Sequence, residues 1–180
     1  LIIGSGLLSD IPITELSGRF QVVVLVDILH PWKSQYYTNR FPNIRLERLD
    51  VTGLVKHVFD LPHGKQPLEM LSYKPDYFLE EGFDMIISAN VLSQLPVIPN
   101  IYASNRIKGL KLKQIQVFSQ TMVINHLNWL ASFSGKVCLI TDVERQECDG
   151  SKIVSREGSL WDAHLPHGGK EWFWDLAPRP

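Results

Sequence analysis

Long hydrophobic runs are missing from this chain of 180 residues. The longest relevant one, Val22 to Val26, falls far short of the roughly 20 apolar residues that cross a bilayer. No basic segment precedes the first apolar stretch, which meets glycine at Gly4, so the start does not read as a signal peptide. Cysteine is scarce as well. Cys138 and Cys148 are the only two and form no CxxC pair, which fits a reducing, cytoplasmic setting better than a disulfide-stapled secreted one. An excess of either charge is also lacking. With 18 basic and 19 acidic residues the net charge is −1, so no global field draws the protein to nucleic acid or to an anionic membrane. The expected partner is therefore a small molecule, with nucleic acid and membrane set aside. Arg106, Lys108, Lys111 and Lys113 form the best local basic patch, and it reads first as a solvated helix start.

Several catalytic signatures are absent too. There is no GxSxG, no P-loop, no HExxH and no EF-hand loop. Cys148, His164 and His167 are too loosely spaced to make a zinc set, and no metal is expected.

What is present is a repeated strand–helix rhythm. Strands are predicted over Leu1–Ile3, Val22–Leu29, Ile44–Val51, Asp84–Asn90 and Lys136–Asp142. Most are nearly continuous Val- and Ile-rich runs, as parallel strands covered on both faces require. In Ile44–Val51, Leu46 and Leu49 are interleaved with Arg45, Glu47 and Arg48, which predicts an edge strand.

The clearest helix runs from Lys108 to Phe133, where Ile115, Phe118, Met122, His126, Trp129 and Phe133 recur at helical spacing. Gly135 is the expected C-cap. Shorter helices are predicted after Leu7, before Phe41 and within 53–80, a region broken by Pro62, Gly64, Pro67 and Pro75. Two short strands around Ile153 and Phe173, the second within Glu171–Leu176, are expected to add antiparallel pairing at the sheet edge. One domain over 1–180 is predicted, and its 44% apolar residues suffice for a core. The first strand is short for its class and position 1 is leucine, so residues are expected to be missing upstream.

The opening carries the chemistry. Gly4-Ser5-Gly6 follows the first strand, a helix is expected next, and the second strand ends at Asp27. Glycines let a backbone approach a ligand, helix N–H groups can face it, and the acid can accept hydrogen bonds from ribose hydroxyls. Ser9 stands where a third motif glycine would be. Asp50 ends the third strand before Thr52-Gly53 and is open to two readings, ligand contact or turn former. The fourth strand carries small and polar residues out at its end, in Phe83-Asp84-Met85-Ile86-Ile87-Ser88-Ala89-Asn90, where a ligand can lie across the strand tips. His126 falls on the apolar stripe of the long helix and reads as a buried structural histidine before a general base. Trp32, Tyr36 and Tyr37, after the second strand, read either as packing residues or as the wall of a pocket.

Taken together, LIIGSG, VVVLVD, LERLDV and FDMIISANVLSQLP resemble the motifs of the class I, Rossmann-like S-adenosylmethionine-dependent methyltransferases. The resemblance implies a doubly wound α/β fold, with a mostly parallel seven-stranded sheet and an antiparallel C-terminal strand that Trp172–Leu176 would supply. It implies S-adenosylmethionine as cofactor: Gly4, Ser5 and Gly6 along its methionyl part, Asp27 on the ribose, and Ile28 against adenine. Asp50 would accept from the adenine amino group with Val51 alongside, and Ala89 and Asn90 would lie near the transferring methyl. Such chemistry needs alignment and desolvation more than a nucleophile. A nicotinamide-dependent oxidoreductase shares the opening unit, although no Tyr-x-x-x-Lys pair occurs. A non-catalytic binding module of the same fold is the third reading.

Overall fold

A computed structural model of the chain describes residues 1–61, 73–150 and 152–174. Its elements alternate: β1 (Ile2–Ile3), α1 (Ile13–Arg19), β2 (Val23–Asp27), α2 (Trp32–Thr38), β3 (Ile44–Arg48) and α3 (Val55–Phe59). Then come β4 (Met85–Ala89), a 3₁₀ turn at Leu92–Gln94, α4 (Val97–Arg106), α5 (Leu112–Ala131) and β5 (Lys136–Ile140). A hairpin of β6 (Glu144–Asp149) and β7 (Lys152–Gly158) follows. Among the described residues no helix is long and apolar enough to cross a membrane.

The main sheet has five strands in the order β3-β2-β1-β4-β5, all parallel. Alternating strand residues point to opposite faces, and each face is covered. Ile3, Val24, Val26 and Ile86 pack with Val123, Trp129 and Leu130 of α5, whereas Ile2, Val23 and Leu25 pack with Ile13 of α1. Leu54, Val58, Ala103, Phe118 and Met122 join α3, α4 and α5 in a third cluster. The apolar stripe of α5 is the one read from the sequence, with Phe118, Met122, His126 and Trp129 all buried.

Five predicted features are corrected. Among the described residues the sheet has five parallel strands rather than seven with an antiparallel member, and the antiparallel pair β6–β7 forms a separate two-stranded sheet. Ile153 lies in β7 but pairs with Cys148, not with the Phe173 segment. Glu171–Trp174 has no strand structure, with Trp172 and Phe173 exposed, and Asp175 and Leu176 lie outside the described residues. The long helix starts at Leu112 and is capped by Ser132. Gly135 is instead a close-approach glycine, since a Cβ there would sit 2.0 Å from the Phe83 carbonyl oxygen.

β5 ends the sheet opposite β3, and its Lys136, Val137 and Cys138 are exposed. An apolar run thus sits on an edge that the sequence pattern treated as covered. The half-polar β3 occupies the other edge as expected. The predicted breaks at Pro62, Gly64 and Pro67 lie outside the described residues.

Candidate functional site

In an open parallel sheet the strand order reverses where the chain first winds one way and then the other, and the crevice at the carboxyl ends there binds ligands. Here the reversal falls between β1 and β4. Gly4, Ser5 and Gly6 leave β1 at that point, beside Ala89 and Asn90 leaving β4.

The glycine turn is tightly held. Gly4 and Ser5 N–H both donate to the Val26 carbonyl, at 2.9 and 3.2 Å. Gly6 N–H donates to Asp27 Oδ2 at 2.7 Å, and Ser34 Oγ of α2 donates to the Gly6 carbonyl at 3.0 Å. Glycine is required at position 4 twice over. Its φ is +83°, and a Cβ would lie 2.6 Å from the Ala89 carbonyl oxygen and 3.0 Å from Val91 Cβ. The first glycine therefore lets the β1 turn sit directly against the end of β4.

Asp27 serves the turn and remains open. Its Oδ1 accepts from Leu29 N–H at 3.2 Å and its Oδ2 from Gly6, which uses two of the roughly four lone-pair sites of a carboxylate. The residue is only half-buried. Asn90 has φ of +52°, a conformation asparagine tolerates better than most residues. Its N–H donates to the Ile140 carbonyl and its carbonyl accepts from Gln94 Nε2. Its side-chain amide makes no hydrogen bond among the described residues. Ile28, the candidate adenine contact, is exposed.

Helix α1 follows Leu7, as the sequence reading expected, but not directly. Leu7 to Pro12 intervene, with Leu8 in the left-handed region at φ +65°, and the first helical residue is Ile13. The start of α1 is therefore six residues removed from the glycines, and the helical turn that contacts them is the first of α2, through Ser34.

Asp50 is the most occupied of the predicted residues. Its Oδ1 accepts from Thr52 N–H at 2.9 Å and Thr52 Oγ1 at 2.6 Å, and its Oδ2 accepts from Val55 N–H at 2.8 Å. It thus shapes the turn into α3, keeping spare acceptor capacity on Oδ2. Asp50 also borders an open depression of about 360 Å³ between α3 and α4, lined by Val55, Lys56, Phe59, Ile98 and Tyr102. Val51 is buried in the core beside it.

The sequence reading missed two tyrosines near Asp50. Tyr73 lies against Gly53, where a Cβ would meet its ring at 2.5 Å. The Tyr77 hydroxyl is pushed up to about 12, first by Tyr73 and by burial, with Asp50 and Asp76 adding to it. Their spacing within Tyr73-Lys74-Pro75-Asp76-Tyr77 was the available signal.

His126 is a core residue. Its Nε2 lies 3.0 Å from Ser88 Oγ, its ring meets Trp129 edge-on, and Nδ1 has no partner among the described residues. Burial holds its pKa down at about 4, so it is neutral at physiological pH and joins α5 to β4. Of the basic patch, Arg106 lies over the Phe59 ring and donates to the Leu61 carbonyl, while Lys111 is the N-cap of α5. Compared with known proteins, the chain matches no family model, no curated protein and no solved structure.

Proposed function

We propose that this protein is an S-adenosylmethionine-dependent methyltransferase. The observation that carries the reading is the half-buried Asp27 carboxylate, tied to Gly6 N–H at 2.7 Å where the strand order reverses. Its free lone pairs suit the two ribose hydroxyls of a nucleoside. Gly4–Gly6 and Ala89–Asn90 border the same crevice and would flank the amino-acid part and the reacting methyl. Asp50 Oδ2 and Ile28 would serve the adenine.

The late start of α1 favours this cofactor over a nicotinamide dinucleotide. A dinucleotide carries a pyrophosphate, which the N–H groups of a helix N-terminus stabilise. S-adenosylmethionine carries none, so a glycine turn separated from α1 by six residues suits it better.

When bound, the cofactor would supply an activated methyl on a sulfonium, open to in-line displacement by an acceptor. The chain's part is alignment and exclusion of water. Asp27 anchors one end, the stapled glycine turn sets the depth, and the Asn90 amide is available to orient an acceptor. The near-neutral charge and the apolar depression beside Asp50 favour a small-molecule acceptor.

A ligand that binds only the native state raises stability by about 2.7 kcal/mol at a hundredfold excess over its Kd. S-adenosylmethionine or its demethylated product should therefore raise the melting temperature, NAD(H) should not, and Asp27→Ala should abolish the effect. A shift with NAD(H) alone would reverse the assignment to an oxidoreductase. No shift with either would leave a binding module.

A further inference from the structure

The balanced total charge conceals a local imbalance. Between Asp27 and Glu47 the sequence has no acidic residue but carries Lys33, Arg40 and Arg45. That stretch contains α2, whose inner side is buried at Ser34 and Thr38. Ser34 bonds the glycine turn and Thr38 Oγ1 bonds back to the Ser34 carbonyl. The outer side presents Trp32, Lys33 and Tyr36, and Arg40 is exposed in the turn just after the helix. Trp32 is 71% exposed and Tyr36 64%. Both rings are thus free to stack on a planar ligand.

The cations are arranged on the rings. Lys33 Nζ lies 5.8 Å from the Trp32 ring centre, and Arg40 Cζ lies 5.4 and 5.8 Å from the centres of Tyr36 and Tyr37. Lys33 and Arg40 have no carboxylate partner among the described residues, whereas Arg45 is paired with Glu47 and Glu81. A cation resting on a ring is partly ordered before any ligand arrives, and its N–H groups stay free for an anion. Trp32 and Tyr36 stand one helical turn apart, about 6 Å along the axis.

We propose that this outer face of α2 binds single-stranded nucleic acid, with bases stacked on Trp32 and Tyr36 and phosphates held by Lys33 and Arg40. Alternating aromatic platforms and unpaired cations are the chemistry such a strand requires. A lipid surface fits less well, because the face interleaves tyrosine hydroxyls and charges where an interfacial helix would present a continuous apolar stripe. The inference concerns binding alone and stands whether or not the crevice transfers methyl groups.

The test is fluorescence anisotropy of a labelled single-stranded RNA of mixed sequence, titrated with the full chain at several salt concentrations. Binding should be saturable and weaken with salt. Trp32→Ala should weaken it about tenfold, within the range for loss of one stacked base. Arg40→Ala should flatten the logarithmic salt dependence by about 0.7, as expected for one lost phosphate contact on a single strand. Both side chains are on the surface, so the variants should keep the wild-type circular dichroism and melting temperature. Absence of binding, or binding that both variants leave unchanged, overturns the proposal. Tighter binding to vesicles containing anionic lipid, lost in the same variants, would also overturn it and reassign the face to a membrane.

Discussion

Replacing His126 by glutamine should remove a large acid-dependent loss of stability. In the folded chain the imidazole is buried against Trp129 with Ser88 Oγ at 3.0 Å, and burial lowers its pKa to about 4. In the unfolded chain it returns to about 6.5. As the pH falls, the unfolded state takes up the proton first, so stability is full above about pH 6.5 and declines toward the folded value. The difference of about 2.5 units, at 1.36 kcal/mol each, sets a limit of about 3 kcal/mol. About 2 kcal/mol of it should be gone between pH 7 and pH 5.

Carboxylates titrate in part of the same window, so the informative quantity is the difference between two proteins. Urea unfolding of wild type and His126→Gln, measured at steps across this range, should give curves that converge as the pH falls. Glutamine retains an amide for Ser88 and has nothing to protonate. A second readout needs no variant: the His126 ring signals in an NMR titration should stay those of the neutral form down to about pH 5. Parallel stability curves, or a ring that titrates near its ordinary value, would refute the reasoning.

Gly4→Ala should destabilise the fold by about 2 kcal/mol or more, because the residue combines positive φ with a Cβ 2.6 Å from the Ala89 carbonyl oxygen; chemical denaturation reads it directly. Asp50→Ala removes an acceptor for Thr52 N–H, Thr52 Oγ1 and Val55 N–H and should cost about 1–2 kcal/mol. That loss should appear without ligand in a urea titration, and a neutral result would mean the carboxylate does not hold the turn.

The five strands of the main sheet were legible in the sequence to within a few residues at each end, most plainly β2, since a parallel strand covered on both faces is apolar along its length. The α5 stripe was equally legible, because a helix covered on one side repeats its apolar residues every three or four positions. Of the candidate site, Gly4–Gly6, Asp27, Ala89 and Asn90 come together as their strand positions implied. Asp50 and Val51 lie farther along the same edge, with Asp50 engaged in the turn into α3. Tyr73 and Tyr77 escaped notice because their importance comes from packing beside Gly53 and Asp50, not from any local pattern. The aromatic C-terminal segment misled for the converse reason. Its composition suits a strand, but strand structure requires a neighbour to bond, and none among the described residues pairs with Glu171–Trp174.

Local pattern alone therefore determined that this chain alternates strands and helices, and which strand ends carry glycine or acid. Burial imposes those periodicities on each segment separately, so they can be read one segment at a time. Tertiary structure decided that Gly4 rests against Ala89, that Gly6 donates to Asp27, and that His126 reaches Ser88. It also decided that α1 starts only after Leu7 to Pro12 and that β6–β7 stands apart from the main sheet. Each of these depends on how distant backbone segments approach one another, and on which hydrogen-bonding groups remain free once they have packed.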